Sequence, residues 1–197
     1  AEDQVLASMV SRFNLDISIF SIDTGRLYEE TYKLVDETKK HLNIDIKMYF
    51  PEAEDVQKLV QNDGYFGFYN SLKNRKACCN IRKIKPLEKA LDAYDIWITG
   101  LRAAQSVTRT DAQIVEIDES HKMIKVNPLI NWSEKEVFDY ISKYNVPYNE
   151  LHDKSFPSIG CSPCTRAVKK GEGIREGRWW WEEPTHKECG LHSTNQK

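Results

Sequence analysis

The sequence predicts an α/β fold built around a parallel sheet, and two observations carry that prediction. Short runs of β-branched and aliphatic residues alternate with longer segments whose apolar residues recur at helical spacing. Such alternation is typical of βα units, in which helices connect parallel strands. The chain has 197 residues, of which 40% are hydrophobic and 29% are charged. That length and composition suit one globular domain with its own core.

The first half of the chain supplies the predicted strands, whose β-branched runs end at turn residues or at charged residues. They cover residues 16–23, 44–50 and 95–99. Helical spacing of apolar residues predicts helices at 26–41, 53–60 and 75–93. Ligands of parallel sheets bind beyond the carboxyl ends of the strands. The loops Asp23-Thr24-Gly25 and Gly100-Leu101-Arg102 follow two of these strands and are therefore candidate ligand-binding loops.

The alternation of predicted strands and helices ends after the strand at 95–99. Residues 113–118 and 122–126 predict a hairpin around Glu119-Ser120-His121. A helix is predicted at 133–142, because Ser133 can cap its first turn and Glu136 stands at the capping-box position.

Regular patterning stops after about Pro157 and leaves a Gly- and Arg-rich tail. We therefore predict an α/β domain over residues 1–160. Residues 161–197 are predicted to form a segment with a Cys-x-x-Cys motif and a C-terminal tail.

Five cysteines form two pairs and one single residue: Cys78-Cys79, Cys161-Ser162-Pro163-Cys164 and Cys189. Four thiolates brought together by the fold suggest a metal site, which leaves Cys189 as a reactive thiol. Zinc usually takes its thiolates from two Cys-x2-4-Cys knuckles, whereas an adjacent pair suits neighbouring irons at least as well. From spacing alone, an iron-sulfur cluster, a zinc ion and unmetallated buried thiols all stay open.

Three cationic groups accompany the cysteines. Arginine side chains next to amide and hydroxyl donors are suited to bind a phosphate or a sulfate. The cationic group that follows the strand at 95–99 has no matching set of carboxylates in the sequence. A solvated helix face is the alternative for that group. The three groups are Lys83 with Lys85; Arg102, Gln105, Ser106 and Arg109; and Arg175 with Arg178.

The run Trp179-Trp180-Trp181 allows three interpretations: a plug in the core, a stacking platform or a surface for a partner. Core packing is the commonest role of such aromatic side chains.

The overall charge restricts the partners. A net charge of −2 gives no general attraction to nucleic acid or to anionic membranes. No apolar run reaches membrane-spanning length, and no signal peptide is visible. Unpaired thiols at metal-type spacing favour a reducing cytoplasm.

Four blocks of this sequence together resemble the cluster-containing branch of the assimilatory adenylyl-sulfate reductases. They stand in the family's order over nearly the whole chain, and their joint occurrence is specific although each one alone is weak. The blocks are Cys78-Cys79-Asn80-Ile81-Arg82-Lys83 with Pro86-Leu87; Thr99-Gly100-Leu101-Arg102 with Gln105-Ser106 and Arg109; Gly160-Cys161-Ser162-Pro163-Cys164-Thr165-Arg166; and Arg175-Glu176-Gly177-Arg178-Trp179-Trp180-Trp181 running to Lys187-Glu188-Cys189-Gly190-Leu191-His192.

The resemblance implies a Rossmann-like, adenine-nucleotide-binding α/β domain with an irregular catalytic tail. It implies a 4Fe-4S cluster on Cys78, Cys79, Cys161 and Cys164, with Cys189 as the nucleophile that attacks adenosine 5′-phosphosulfate during sulfate assimilation. Thioredoxin, or a glutaredoxin-like dithiol protein, would then release sulfite. The residues expected to hold the substrate are Lys83, Arg102, Gln105, Ser106, Arg109, Arg175 and Arg178.

The family pattern also leaves alternatives. Members carry a strand and a Ser-Gly-Ala-Glu-Asp phosphate loop, whereas this sequence begins at Ala1-Glu2-Asp3, so the preceding strand and loop residues are expected to be missing. A reductase of the 3′-phosphorylated substrate, or an enzyme that takes both substrates, is one rival. A metal-thiolate, RNA-modifying or nucleic-acid-binding protein is the other, and the near-neutral charge disfavours it. A homo-oligomer is compatible with the sequence.

Overall fold

The computed structural model describes residues 1–105 and 112–183, and these divide between two compact units. The first, here called the sheet unit, comprises Ala1–Ile19, Glu29–Lys47 and Tyr94–Lys154. The second, the cysteine unit, comprises Phe20–Tyr28, Met48–Ala93 and the described part of Ser155–Lys197. The predicted division at residue 160 stays a prediction. In the described ranges, no helix combines the length and the apolar character needed to cross a membrane.

The fold is α/β with parallel strands, as predicted. In the described residues, one sheet pairs β1 with β2, and a second has the order β3-β5-β4. Strand β3 runs parallel to β5 with Ile96 opposite Ile124, whereas β4 and β5 form the predicted antiparallel hairpin. The strands are β1 (Ile19–Ile22), β2 (Ile46–Tyr49), β3 (Ile96–Ile98), β4 (Val115–Asp118) and β5 (Met123–Val126).

The helices match the predicted ones except at two places. A helix at the start of the chain was not predicted. The single helix predicted at 75–93 is observed as two α-helices joined by a π-helical turn at Asn80–Ile84. The α-helices are α1 (Glu2–Arg12), α2 (Glu29–Leu42), α3 (Ala53–Asp63), α4 (Leu72–Cys79), α5 (Lys85–Leu91) and α6 (Glu134–Tyr144).

Helix α6 confirms the predicted capping box. The Ser133 hydroxyl accepts the Glu136 backbone N–H at 3.2 Å, and the Glu136 carboxylate accepts the Ser133 backbone N–H at 2.7 Å. The helix buries Val137 and Ile141 in the core of the sheet unit, together with Val5. Local capping therefore fixes where α6 begins, and its apolar face fixes it to the core.

One buried cluster of the cysteine unit has an unusual composition. Its buried members are Phe68, Cys161, Cys164 and Trp179, with Cys78, Cys79 and Trp181 packed against them in partly exposed positions. Sulfur and aromatic groups form this cluster, and the aliphatic side chains of Leu59, Leu87 and Leu91 are buried outside it.

Candidate active site

The four cysteines of the two pairs line one cavity in the cysteine unit. About 340 Å³ of space lies between these residues when the part that is open solvent is included. All four are free thiols; Cys161 and Cys164 are buried, and Cys78 and Cys79 are half-buried. The structure thus brings together the two pairs that are far apart in sequence. The other lining residues are Arg26, Phe68, Arg75, Arg82, Lys83 and Trp179.

Local structure explains where the adjacent pair lies. Ser71 caps helix α4, since its hydroxyl accepts the Asn74 backbone N–H at 3.1 Å, and the helix ends at Cys79. The π-helical turn then carries Arg82 and Lys83 into buried positions on the cavity wall. Single π-helical turns occur frequently at functional sites.

A short 3₁₀ turn, Ser162–Cys164, presents the second pair. The Cys164 backbone N–H donates to the Cys161 carbonyl at 2.9 Å, so both thiols are held on one turn. The Tyr69 hydroxyl donates to the Pro163 carbonyl at 2.6 Å and fixes the turn from outside. On the inside, the Thr24 hydroxyl lies 3.2 Å from the Cys161 sulfur.

Buried arginines surround the thiols and lack some of their hydrogen-bond acceptors. Arg82 donates through Nη1 to the Thr24 carbonyl at 2.7 Å, and Arg178 donates through Nη1 to the Ile159 carbonyl at 3.4 Å. In the part of the chain that the structure describes, the Nε atoms of Arg82 and Arg178 and the indole nitrogen of Trp179 are buried without a hydrogen-bond partner. An anionic group in the cavity would supply acceptors for such donors.

Gly160 allows Arg178 to lie against the chain beside Cys161. A Cβ atom at Gly160 would collide with the Arg178 guanidinium. Arg178 also stacks over the Trp179 ring, 4.5 Å from its centroid, and Arg175 lies 6.0 Å from the same centroid. The predicted Arg175–Arg178 group is therefore gathered around one buried indole.

The cavity disfavours free thiolates. Burial raises the pKa of Cys164 to about 12, with repulsion from the Cys161 sulfur adding to the effect and Lys83 opposing it. Burial also raises the pKa of Cys78, against the attraction of Arg26 and Arg82. A metal bound by these sulfurs would displace the thiol protons.

The four thiols are a donor set that a metal could use. Four cysteinyl sulfurs can hold either a single zinc ion or a four-iron cluster. In residues 1–105 and 112–183, no three His, Cys, Asp or Glu side chains form a group that could hold one metal ion.

Sequence reasoning missed the pairing of Arg75 with Glu182. The guanidinium donates through Nε and Nη2 to the two carboxylate oxygens at 3.0 and 2.8 Å. The two side chains are only 1% and 8% exposed. Arg75 also stacks over Trp179 at 4.7 Å and interacts with the Cys79 thiol. The pair joins the helix that carries the adjacent cysteines to the segment that precedes Cys189.

The described side chains that were predicted to bind a phosphate after β3, Arg102 and Gln105, lie in the sheet unit. The sequence indicated no matching carboxylate for it, but Arg102 donates through Nε to Glu2 at 2.7 Å and through Nη1 to the Trp132 carbonyl at 3.4 Å. Gln105 accepts the Arg102 backbone N–H at 3.4 Å. A carboxylate from the start of the chain therefore holds this arginine. Three other predicted site residues lie outside the described residues: Ser106, Arg109 and Cys189.

Comparison with known proteins gives a consistent picture. The family model described as the phosphoadenosine phosphosulfate reductase domain matches residues 1–167. The adenosine 5′-phosphosulfate reductase of Allochromatium vinosum is 48% identical over 192 residues, which cover 98% of this chain and 75% of the relative. The protein of the same name from Rhizobium tropici is 48% identical over 171 residues, covering 87% and 95% of the two chains.

Solved structures show the same relationship at the level of the fold. The phosphoadenylyl-sulfate reductase of Candida auris, in a phosphate complex, superposes with a TM-score of 0.71 and 27% identity, covering 85% of this chain and 78% of that one. The FMN adenylyltransferase of Candida glabrata, at 13% identity, has a TM-score of 0.52 over 82% of this chain and 50% of its own, and shows the shared fold alone.

Proposed function

The chain belongs to the phosphoadenosine phosphosulfate reductase domain family, and on that premise we propose that it reduces adenosine 5′-phosphosulfate to sulfite and AMP with thioredoxin as electron donor. The observation that carries the proposal is the convergence of Cys78, Cys79, Cys161 and Cys164 on one cavity with buried cations. Relatives that are 48% identical along most of this chain bear the name of that activity, which supports the choice of substrate.

We assign the four cavity cysteines as the ligands of a 4Fe-4S cluster. The orphaned Nε atoms of Arg82 and Arg178 support the assignment, because cluster sulfurs and cysteinyl sulfurs accept hydrogen bonds. When bound, the cluster would supply a local electrostatic field beside Lys83, while the electrons come from thioredoxin. Cysteines that hold such a cluster require a reducing compartment, so a cytoplasmic location is part of the same proposal.

Cys189 carries the covalent step in this proposal. Its thiolate attacks the sulfur of the phosphosulfate, the S–O bond breaks, and AMP leaves with the bonding electron pair. The product is an S-sulfocysteine. His186, Lys187 and His192 are close to Cys189 in sequence, and positive charge lowers a thiol pKa and raises the thiolate fraction.

A dithiol completes the cycle. One thioredoxin thiolate attacks the Cys189 sulfur and expels sulfite, forming a mixed disulfide between the two proteins. The second thioredoxin thiol then resolves that disulfide and frees Cys189. The oxidised product is the thioredoxin disulfide, which accounts for the two electrons that reduce the sulfur.

Cationic residues hold the substrate and the leaving AMP. Arg175 and Arg178 in the cysteine unit carry this role, together with Lys83. In the sheet unit we assign it to Arg102 and Gln105, with Ser106 and Arg109. Hydrogen-bonded cations stabilise negative charge that develops on a leaving phosphate.

One anaerobic experiment tests the chemistry. The protein, mixed with adenosine 5′-phosphosulfate and no thioredoxin, should release one AMP per site and gain a sulfonate on the peptide containing Cys189. Thioredoxin should then discharge the adduct as sulfite. An adduct on another residue would refute the covalent role of Cys189, and stoichiometric zinc without acid-labile sulfide would refute the cluster.

The 3′-phosphorylated substrate is the second candidate, since the Candida auris structure belongs to a reductase named for it. The identity of 27% to that protein, against 48% to the Allochromatium vinosum protein, favours the substrate without the 3′-phosphate. Comparison of kcat/KM for the two nucleotides decides the matter, and a preference for the 3′-phosphorylated one would overturn this part of the proposal.

A further inference from the structure

We propose that Arg75 is a positioning residue for the Cys79 sulfur and that Glu182 holds Arg75 in this role. The inference deepens the proposed function and rests on it, because it takes Cys79 as a ligand of the proposed cluster. It gives Arg75 no contact with the substrate.

Arg75 and Cys79 share one face of helix α4. They stand four residues apart on it, which makes their side chains neighbours on the helix surface. The guanidinium hydrogen-bonds with the Cys79 thiol, and both side chains border the cavity. Because a guanidinium has five N–H donors in one rigid plane, it can donate to a carboxylate and to a sulfur at the same time.

Glu182 sets the direction of those donors. Its two carboxylate oxygens accept from Nε and Nη2 of Arg75 at 3.0 and 2.8 Å, and two parallel hydrogen bonds fix the plane of the guanidinium. The Trp179 ring lies against the same guanidinium, with its centroid 4.7 Å from Cζ. Partners that orient a metal ligand from behind in this way are a general feature of metal sites.

Backbone hydrogen bonds connect Glu182 to the second cysteine pair. The Glu182 N–H donates to the Trp179 carbonyl at 2.8 Å, and the Trp179 N–H donates to the Cys164 carbonyl at 3.1 Å. Arg75 completes this series of contacts, which then runs from Cys164 to Cys79. The buried ion pair therefore fixes the two cysteine pairs relative to each other.

Trp179, in the middle of that series, has a strained backbone. Its φ is 41°, in the left-handed region that a bulky side chain rarely adopts. Such strain persists where surrounding contacts hold it, and it is concentrated at functional sites. Trp179 is buried, with Arg75 over its ring. A strained residue between Cys164 and Glu182 supports a functional role for this connection.

The test uses the iron-loaded full chain and measures iron retention. Arg75→Gln should lose its iron to a chelator roughly 10- to 100-fold faster than the unsubstituted protein, the range expected when the partner of a metal ligand is removed. The Mössbauer spectrum should change at one iron of the cluster, because only the Cys79 sulfur loses a hydrogen bond. Glu182→Gln leaves Arg75 less firmly held and should act in the same direction by less.

The double variant Arg75→Gln/Glu182→Gln separates positioning from stability. It removes both buried charges, so the free energy of unfolding should recover much of what Arg75→Gln alone loses. Iron loss should stay as fast as in Arg75→Gln, because Cys79 still lacks its donor. Recovery of iron retention together with stability would overturn the proposal and leave the pair as an anchor only. Should Arg75→Gln fail to fold, comparing the double variant with the unsubstituted protein decides in the same way.

Glu172→Gln is the matched control. Glu172 also accepts two hydrogen bonds from one arginine of the cysteine unit, Arg166, at 2.7 and 3.0 Å, but that pair is partly exposed. This variant should leave iron retention and the Mössbauer spectrum unchanged. An equal effect in the control would count against a specific role for Arg75.

The unsubstituted protein separates this inference from the proposed function. Absence of iron and sulfide, or of AMP release, in that protein would overturn the proposed function and this inference with it. Normal iron, sulfide and AMP release there, with iron retention unchanged in Arg75→Gln and in the double variant, would overturn the role of Arg75 alone.

Discussion

The two units of this chain differ in how they treat buried cations. In the sheet unit, Arg102 lies 2.7 Å from the Glu2 carboxylate and Lys125 lies 2.9 Å from the Glu116 carboxylate. In the cysteine unit, Arg82 and Arg178 donate to a backbone carbonyl or a hydroxyl, and in residues 1–105 and 112–183 neither pairs with a carboxylate. A buried charge with a partner is costly to the fold when that partner is removed, whereas a buried cation without a carboxylate offers its donors to an anion.

Arg75 shows that the distinction also holds within the cysteine unit. Its doubly hydrogen-bonded pair with Glu182 neutralises it, although it borders the same cavity as Arg82. Arg75 is therefore an anchor for the segment before Cys189, and the arginines without carboxylates are the ones available to a cluster or a substrate. Within the cysteine unit, the presence or absence of a carboxylate separates the anchor from the arginines assigned to an anion.

The largest expected loss of activity comes from replacing cysteines, and it distinguishes the role of the cavity cysteines from that of Cys189. Cys161→Ser should lose both iron and activity, because a hydroxyl is a poor substitute for a thiolate on iron. Cys189→Ser should keep the iron and lose turnover by roughly 10⁴-fold or more, as expected when a nucleophile is removed. Iron and sulfide analysis with sulfite assays measures both, and Ser162→Ala, next to Cys161, is the control that should retain both. Turnover by Cys189→Ser would contradict the mechanism.

The next effect tests the anchor. Arg75→Gln should lower the free energy of unfolding by about 4 kcal/mol, because it leaves the buried Glu182 carboxylate without its charge partner. Urea unfolding of the two proteins measures the difference. Lys135→Gln removes one member of the exposed Lys135–Asp139 pair and should cost only about 0.3 kcal/mol. Equal losses for the two variants would show that burial does not distinguish these pairs.

The arginines without carboxylates should behave differently from the anchor. Arg178→Gln removes a charge that no carboxylate holds, so it should raise the KM for the nucleotide by roughly 10- to 100-fold, the range expected for a hydrogen bond to a charged group. Iron content should stay unchanged, since Arg178 is not a proposed ligand. A variant with unchanged KM but greatly reduced stability would place Arg178 with the structural cations.

The smallest effect lies in the sheet unit. Ser133→Ala removes the capping hydroxyl of α6 and should cost about 1 kcal/mol of stability without changing the kinetics. Thermal unfolding together with a sulfite assay checks this result. Ser133→Thr keeps a capping hydroxyl and should recover most of the loss. A change in KM in the alanine variant would indicate that α6 contributes to the reaction.

Features that depend on local pattern could be predicted from the sequence. The strands, the hairpin and the start of α6 at Ser133 each follow from spacing or from a cap within a few residues. The pairing of Arg75 with Glu182 could not be predicted, because 107 positions separate the two residues and neither has an unusual neighbour. The π-helical turn at Asn80–Ile84 was missed because its side-chain pattern is that of a continuous α-helix.

The tryptophan run shows a similar limit. Three identical residues in a row leave each interpretation open. The irregular tail has neither helical nor strand spacing, so the sequence does not indicate which of the three side chains is buried. In the structure Trp179 is 1% exposed and fills the core, whereas Trp180 lies on the surface. Core packing therefore describes Trp179, whereas the exposed Trp180 next to it does not fill the core.

The π-helical turn at Asn80–Ile84 also restricts how this segment can change in length. A π-helical turn takes up one extra residue within a helix, so deleting one residue there would let the turn close with ordinary α-helical hydrogen bonds. A further inserted residue has no such turn to absorb it and would rotate α4 by about 100° relative to α5, so Cys78 and Cys79 could keep their place only if Leu87 and Leu91 lost theirs in the core. Substitutions at the exposed Asn80 should therefore be tolerated, whereas single-residue insertions between Cys79 and Leu87 should not.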